Sequence, residues 1–171
     1  MRIGLISDTH IPLDAEKLPE QLPRAFHNVD LILHAGDVYA PSVLEELETI
    51  APLLAARGDD DHGEVLRDER MKREHILTVE EITIWLFHEY RKESLVANGD
   101  WYKLSGEKFQ KNPDVIVYGH THKAALLNYG SVLTVTPGSA TFPHYIPKPG
   151  TVGLLTIKSG KVEARIIPLY R

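Results

Sequence analysis

Five short apolar runs each end in a cluster of Gly, Asp or His, and this pattern limits the fold more than any other feature of the chain. Arg2–Ser7 closes on Asp8-Thr9-His10, Asp30–His34 on Ala35-Gly36-Asp37, and Ala51–Ala56 on Arg57-Gly58-Asp59-Asp60-Asp61-His62. Ile82–His88 ends in its own histidine, and Asp114–Tyr118 runs into Gly119-His120-Thr121-His122. Short apolar runs bounded this way are strand-then-loop signals. Between the first three lie Pro19–Phe26 and Pro41–Ile50, which read as helices. In the second of these Pro41 stands early, and Leu44, Leu47 and Ile50 are spaced for one apolar face. A β-α-β-α-β order predicts an α/β layered fold with parallel strands.

The second half is richer in strands. His75–Val79 and Ile82–His88 predict a hairpin, and Ser94 to Gln110 predicts a helix in two pieces broken near Asn98-Gly99-Asp100. Ala124–Tyr129, Ser131–Val135, Thr151–Ile157 and Lys161–Ile167 complete the strands, with Gly130 and Ser159-Gly160 as turns. No repeat, linker or low-complexity tract interrupts the 171 residues, so residues 1–171 are expected to form a single domain.

The net charge of −5 argues against a nucleic-acid partner other than a short oligonucleotide or nucleotide. The short basic run at Arg70, Lys72 and Arg73 reads as a solvated face. There is no cysteine, so any metal must use oxygen and imidazole ligands. Met1-Arg2 leads directly into a strand without an apolar leader, and no run of about 18 apolar residues exists, so a cytoplasmic protein without a membrane partner is expected. A homo-oligomer is compatible with this sequence.

Open α/β sheets place ligand sites at the carboxyl ends of their strands. Here those ends deliver Asp8, His10, Asp37, Asp59, Asp60, Asp61, His62, His88, His120 and His122 to one prospective rim. In Asp8-Thr9-His10 and His120-Thr121-His122 the i, i+2 spacing lets both side chains point to one side of an extended loop. A single D-x-H triplet is commonplace on surface loops; four such elements at strand ends are a metal-site signal. Two divalent ions about 3.5–4 Å apart need a bridging carboxylate, and Asp37, alone on its loop between two ligand-rich loops, suits that place. His34 reads as a packing residue or a support for the ligands, and His27 and His75 as structural. Tyr39 and Tyr145 are candidates to line the pocket, and Trp85 and Trp101 to pack the core.

Taken in order, Ser7-Asp8-Thr9-His10, Gly36-Asp37, Gly58-Asp59-Asp60-Asp61, His88 and Gly119-His120-Thr121-His122 resemble the motifs of calcineurin-like metallophosphoesterases, in particular the small bacterial and archaeal phosphodiesterase branch. Thr136-Pro137-Gly138-Ser139 is similar to that branch's loop near the metals. The resemblance implies a four-layer αββα sandwich with two packed mixed β-sheets. It also implies two divalent metal ions, manganese first and iron, nickel or zinc as alternatives. Asp8, His10, Asp37 and His122 would hold one ion, and Asp37, Asp59, His88 and His120 the other. The implied reaction is hydrolysis of a small soluble phosphoester, a diester before a monoester, by a hydroxide bridging the ions. Gly138, Ser139 and His144 would contact substrate. Some proteins of this fold are interaction scaffolds without catalysis; seven metal-capable side chains at the seven positions favour an enzyme.

Three positions depart from the family pattern. Asp59 stands where an Asn is usual, so three carboxylates and one hydroxide would offset two divalent ions fully. That change should weaken attraction for phosphate and raise the pKa of the bridging water. Asp60 stands where some members carry the histidine that protonates the leaving group, which leaves Asp60 or His62 as the candidate catalytic acid. Glu89 follows His88 where Gly is frequent; it either closes the pocket or faces solvent, and solvent is the favoured reading.

Overall fold

A computed structural model describes residues 1–90, 95–97 and 100–170. Its frame is two mixed sheets packed face to face. The first has strands β1 (Arg2–Ile6), β2 (Leu31–His34), β3 (Leu53–Ala56), β4 (Met71–Lys72), β12 (Thr151–Lys158) and β13 (Lys161–Pro168) in the order β13-β12-β1-β2-β3-β4. β1 to β4 are parallel, and β12 and β13 are antiparallel additions at one side. The second sheet has β5 (His75–Val79), β6 (Ile82–Leu86), β9 (Val115–Val117), β10 (Ala125–Tyr129) and β11 (Val132–Thr136) in the order β10-β11-β9-β6-β5. Its inner strands β6, β9 and β11 are parallel.

Alternation along the strands builds the layers. Ile3 and Leu5 of β1 meet Ile84 and Leu86 of β6 and Val115 and Val117 of β9 between the sheets, all fully buried. Ile6 and Ile32 face the opposite way, onto helices α1 (Leu22–Ala25) and α2 (Pro41–Glu48), where Leu22, Phe26, Leu44 and Leu47 cover them. Pro41 opens α2 at its first turn, where its missing N–H costs nothing, and Val43, Leu44 and Leu47 form its buried stripe. Burying each such side chain is worth about 1.5–3 kcal/mol. Trp85, Phe87 and Ile116 point outward from the second sheet into a third cluster with Leu95, Trp101 and Phe109.

The covering of that third cluster departs from the expected helix over 94–110. Among the described residues it is a short ribbon, β7 (Val96–Ala97) paired with β8 (Asp100–Trp101), followed by a loop with an isolated bridge between Tyr102 and Lys108. Ser94, Asn98 and Gly99 lie outside the described residues. Gly106 at φ +85° turns the loop back on itself, so Phe109 reaches Trp85, with rings 4.9 Å apart. The basic run is a solvated face only in part. Met71–Lys72 pairs with β3, and Arg70 is engaged by Asp68 and Glu48; Lys72 and Arg73 are exposed, as expected.

Candidate metal centre

The loops that leave β1, β2, β3, β6 and β9 at their carboxyl ends converge. All seven expected ligands meet there in overlapping groups. Asp8, His10 and His122 form one; Asp59, His88 and His120 form another; Asp8, Asp37 and His88 form a third between them, with the ligand atoms of each group within 4.8 Å of one another. Five of the seven, Asp8, His10, Asp37, His120 and His122, have φ between 50° and 68°. Non-glycine residues adopt this left-handed conformation uncommonly, Asp and His more readily than most, and the surroundings must hold it. Here hydrogen bonds do so. Asp8 N–H donates to Gly36 O at 3.0 Å, and Thr9 and His10 N–H both donate to Asp37 O. Gly58 must be glycine for close approach, because a Cβ there would sit 1.9 Å from Asp37 Oδ1.

Three imidazoles are oriented alike. His88 Nδ1 lies 2.7 Å from Ala35 O, His122 Nδ1 2.9 Å from Phe142 O, and His10 Nδ1 2.7 Å from Asp14 Oδ2. A carbonyl or carboxylate only accepts, so each Nδ1 carries a proton and each Nε2 is aimed at the site, which is how metal-ligating histidines are held. Tyr39 Oη also approaches His10 Nδ1, at 3.0 Å. His120 is arranged differently: its Nδ1 is 3.1 Å from Asp59 Oδ1, and Asp59 Oδ1 is 2.7 Å from His88 Nε2.

These residues fit divalent ions. Asp8 Oδ2, His10 Nε2 and His88 Nε2 are buried and make no well-aligned hydrogen bond among the described residues, the two nitrogens only standing near the carboxylates of Asp37 and Asp59. Such atoms are costly unless a ligand engages them. The charges are correspondingly perturbed. Burial pushes the Asp8 carboxyl up. Burial acts the same way on Asp37, but the neighbouring His10 and His88 rings outweigh it and hold that carboxyl well below the usual range. For His88, burial works against the proton, yet Asp37 and Asp8 raise its pKa to about 9.

Four features that support the site were not assigned a role from sequence. Asp61 is buried, and its carboxylate accepts backbone N–H bonds from Asp37 (3.1 Å), Val38 (2.7 Å), Tyr39 (2.9 Å) and Gly58 (2.7 Å). It therefore ties the β2 loop to the β3 loop. An Asp side chain can bond backbone a few residues earlier in a turn, as it does here with Gly58, the one cue that could have found it. Asp14, Ala35 O and Phe142 O have no sequence cue.

The remaining candidates take varied places. Asp60 and His62 are exposed on the rim; Asp60 N–H donates to Asp37 Oδ1 at 3.2 Å, and His62 Nδ1 lies 2.8 Å from Asp60 O. Ser139 is fully buried behind Asp8: its hydroxyl donates to Asp8 O at 2.7 Å and accepts from Phe142 N–H at 2.7 Å. Gly138 O accepts from Ser7 Oγ. His144 is exposed, beside Tyr145, whose ring stacks on His122 at 4.8 Å. Glu89, expected to face solvent, turns toward the site, with Oε1 3.7 Å from His120 Nε2. His34 is fully buried and supports Gly36, and His75 bonds to Ala55 O at 2.9 Å.

Two packed sheets that gather carboxylates and imidazoles at their strand ends define a metal-binding α/β protein of hydrolase type. Residues 1–160 match the calcineurin-like phosphoesterase superfamily domain, and the chain belongs to that family; it is a metallophosphoesterase. A probable metallophosphoesterase of Methanothermobacter thermautotrophicus is 35% identical over 98% of this chain and 92% of its own length. A Methanocaldococcus jannaschii protein named a phosphodiesterase is 26% identical over 99% of both chains. The solution structure of a Thermotoga maritima protein superposes with a TM-score of 0.71 at 25% identity, covering 98% of each chain. Among the described residues no helix is long and apolar enough to cross a membrane.

Proposed function

We propose that the protein is a phosphodiesterase acting on a small phosphoester through two divalent ions, manganese in the first place. The observation that carries this reading is the position of one oxygen. Asp37 Oδ2 lies 3.3 Å from His10 Nε2 and 3.4 Å from His88 Nε2, where a single carboxylate would serve two ions. Asp8, His10 and His122 would hold the first ion, and Asp59, His88 and His120 the second. When bound, the pair supplies Lewis-acid charge to the phosphoryl oxygens and a water of lowered pKa.

The chain's own residues do the rest. Asp14, Ala35 O and Phe142 O keep three imidazoles in the ligating tautomer. Asp60 and His62, on the open rim, are assigned to hold the proton that the leaving oxygen needs. His144, on the exposed loop beyond His122, is assigned to substrate, while Gly138 and Ser139 act from behind by fixing Ser7 and Asp8. The preference for diesters draws on the relative named a phosphodiesterase.

The test is metal analysis of the purified protein together with hydrolysis of bis(p-nitrophenyl) phosphate after manganese loading. Two equivalents of metal per chain with turnover are expected. A chain that takes up no metal and turns nothing over would overturn the reading.

A further inference from the structure

A cavity of about 290 Å³ adjoins the centre on the side of Asp59 and His88, and Arg57, Arg73, Glu89 and Leu104 line its other walls. The two arginines reach it from neighbouring strands. Arg57 follows β3 and Arg73 follows β4; the parallel register that pairs Ala56 with Lys72 sets them one step further on, at the carboxyl ends. Arg57 N–H donates to Lys72 O at 2.7 Å, which fixes that register. Neither guanidinium makes an ion pair among the described residues, whereas nearby Arg70 is held by Asp68 and Glu48. The opposite wall is also built: Glu74 accepts from Leu104 N–H at 3.2 Å and from Trp85 Nε1 at 2.7 Å, anchoring the Leu104 loop to the second sheet.

Arg57 and Arg73 bring two positive charges to the lining of one cavity, and a phosphate group there would offset both charges while accepting forked hydrogen bonds. The chain as a whole carries −5, so this patch runs against the global field and acts at short range. We propose that Arg57 and Arg73 form a subsite for a second phosphate on the substrate. The substrate class is then a phosphoester that carries another phosphate group beyond the scissile one, as in a nucleotide derivative phosphorylated at two positions. This inference rests on the phosphoesterase reading of the adjoining metal centre.

A matched pair of chromogenic esters tests it: thymidine 5′-(p-nitrophenyl phosphate), and the same compound bearing a 3′-phosphate. With the manganese-loaded full chain, kcat/KM is expected to favour the 3′-phosphorylated ester by about tenfold, mainly through KM, because one charge-assisted contact contributes about that factor. The preference should shrink as salt is raised. In R57Q and R73Q, measured separately, the ratio between the two esters is expected to fall toward one. Equal kcat/KM for both esters in the parent protein would overturn the subsite without any variant. So would a ratio that survives in both variants. Turnover of neither ester would instead overturn the phosphoesterase reading on which the subsite depends.

Discussion

The carboxylate of Asp61 accepts four backbone N–H groups drawn from two loops. Removing it strands buried donors in both loops, and each stranded donor costs about 1–3 kcal/mol. Asp61→Ala is therefore expected to lower stability by about 3 kcal/mol and to weaken metal binding by about 10–100-fold, as read by chemical denaturation and metal titration. Unchanged metal affinity would show that Asp61 does not position Asp37. His34 acts at the same scale through its charge. Its Nδ1 accepts from Gly36 N–H at 3.2 Å and its Nε2 meets Thr9 Oγ1 at 3.2 Å, an arrangement only the neutral ring allows. Complete burial pushes its pKa from 6.5 down to about 3. Below 6.5 the unfolded chain gains a proton that the folded chain refuses, so stability falls as pH drops, by about 1.4 kcal/mol per pH unit, until the folded value is reached. His34→Gln should flatten that slope in denaturation series from about pH 7 to about pH 5. A variant that keeps the parent's slope would contradict a neutral His34.

At the scale of elements, the strands and the ligand loops were legible because apolar runs closed by Gly, Asp and His leave few alternatives. β1, β2, β3, β6 and β9 all fall within the predicted runs. The 94–110 segment was not legible. Leu95, Trp101 and Phe109 are spaced loosely enough to suit a helix, and what decides their conformation is the outward face of Trp85 and Phe87, which lies far away in sequence. β4 escaped because two residues inside a charged run carry no periodicity; β3 recruits them. The ligand residues could be read from their loops, but their supports could not, since Ala35 O, Phe142 O and Asp14 depend on how loops cross. Gly58 illustrates the difference. The sequence suggests a turn there, and the structure adds that the β3 loop passes against the Asp37 side chain. Gly58→Ala should push the two loops apart, leaving the strands intact by circular dichroism while weakening metal binding at least about tenfold. Parent-like metal affinity in this variant would mean the loops can separate without disturbing Asp37.

At the scale of the whole molecule, the first sheet supplies Asp8, His10, Asp37 and Asp59, and the second supplies His88, His120 and His122. Direct bonds already cross this seam: His120 N–H donates to Asp8 Oδ1 at 2.9 Å, and His88 Nδ1 lies 2.7 Å from Ala35 O. Bound ions would add a cross-link that the unfolded chain cannot make, so binding energy becomes folding energy. At a metal concentration about a thousand times Kd the gain is about 4 kcal/mol, which for a chain of this size is roughly a 10 °C rise in Tm. Protons compete for the same atoms. Burial disfavours a charged His88, but Asp37 outweighs it and the pKa stands at about 9 in the metal-free protein. His88 then carries a proton at neutral pH that binding must displace. A folded pKa raised above 6.5 stabilises the metal-free fold at low pH and loses that contribution as pH climbs through about 9. The Tm increment between metal-loaded and chelator-treated protein should therefore widen from about pH 6 to about pH 9, with proton release on titration narrowing in parallel. Identical melting of the two forms would show that the ions do not join the sheets. An increment independent of pH would show that His88 gives up no proton to them.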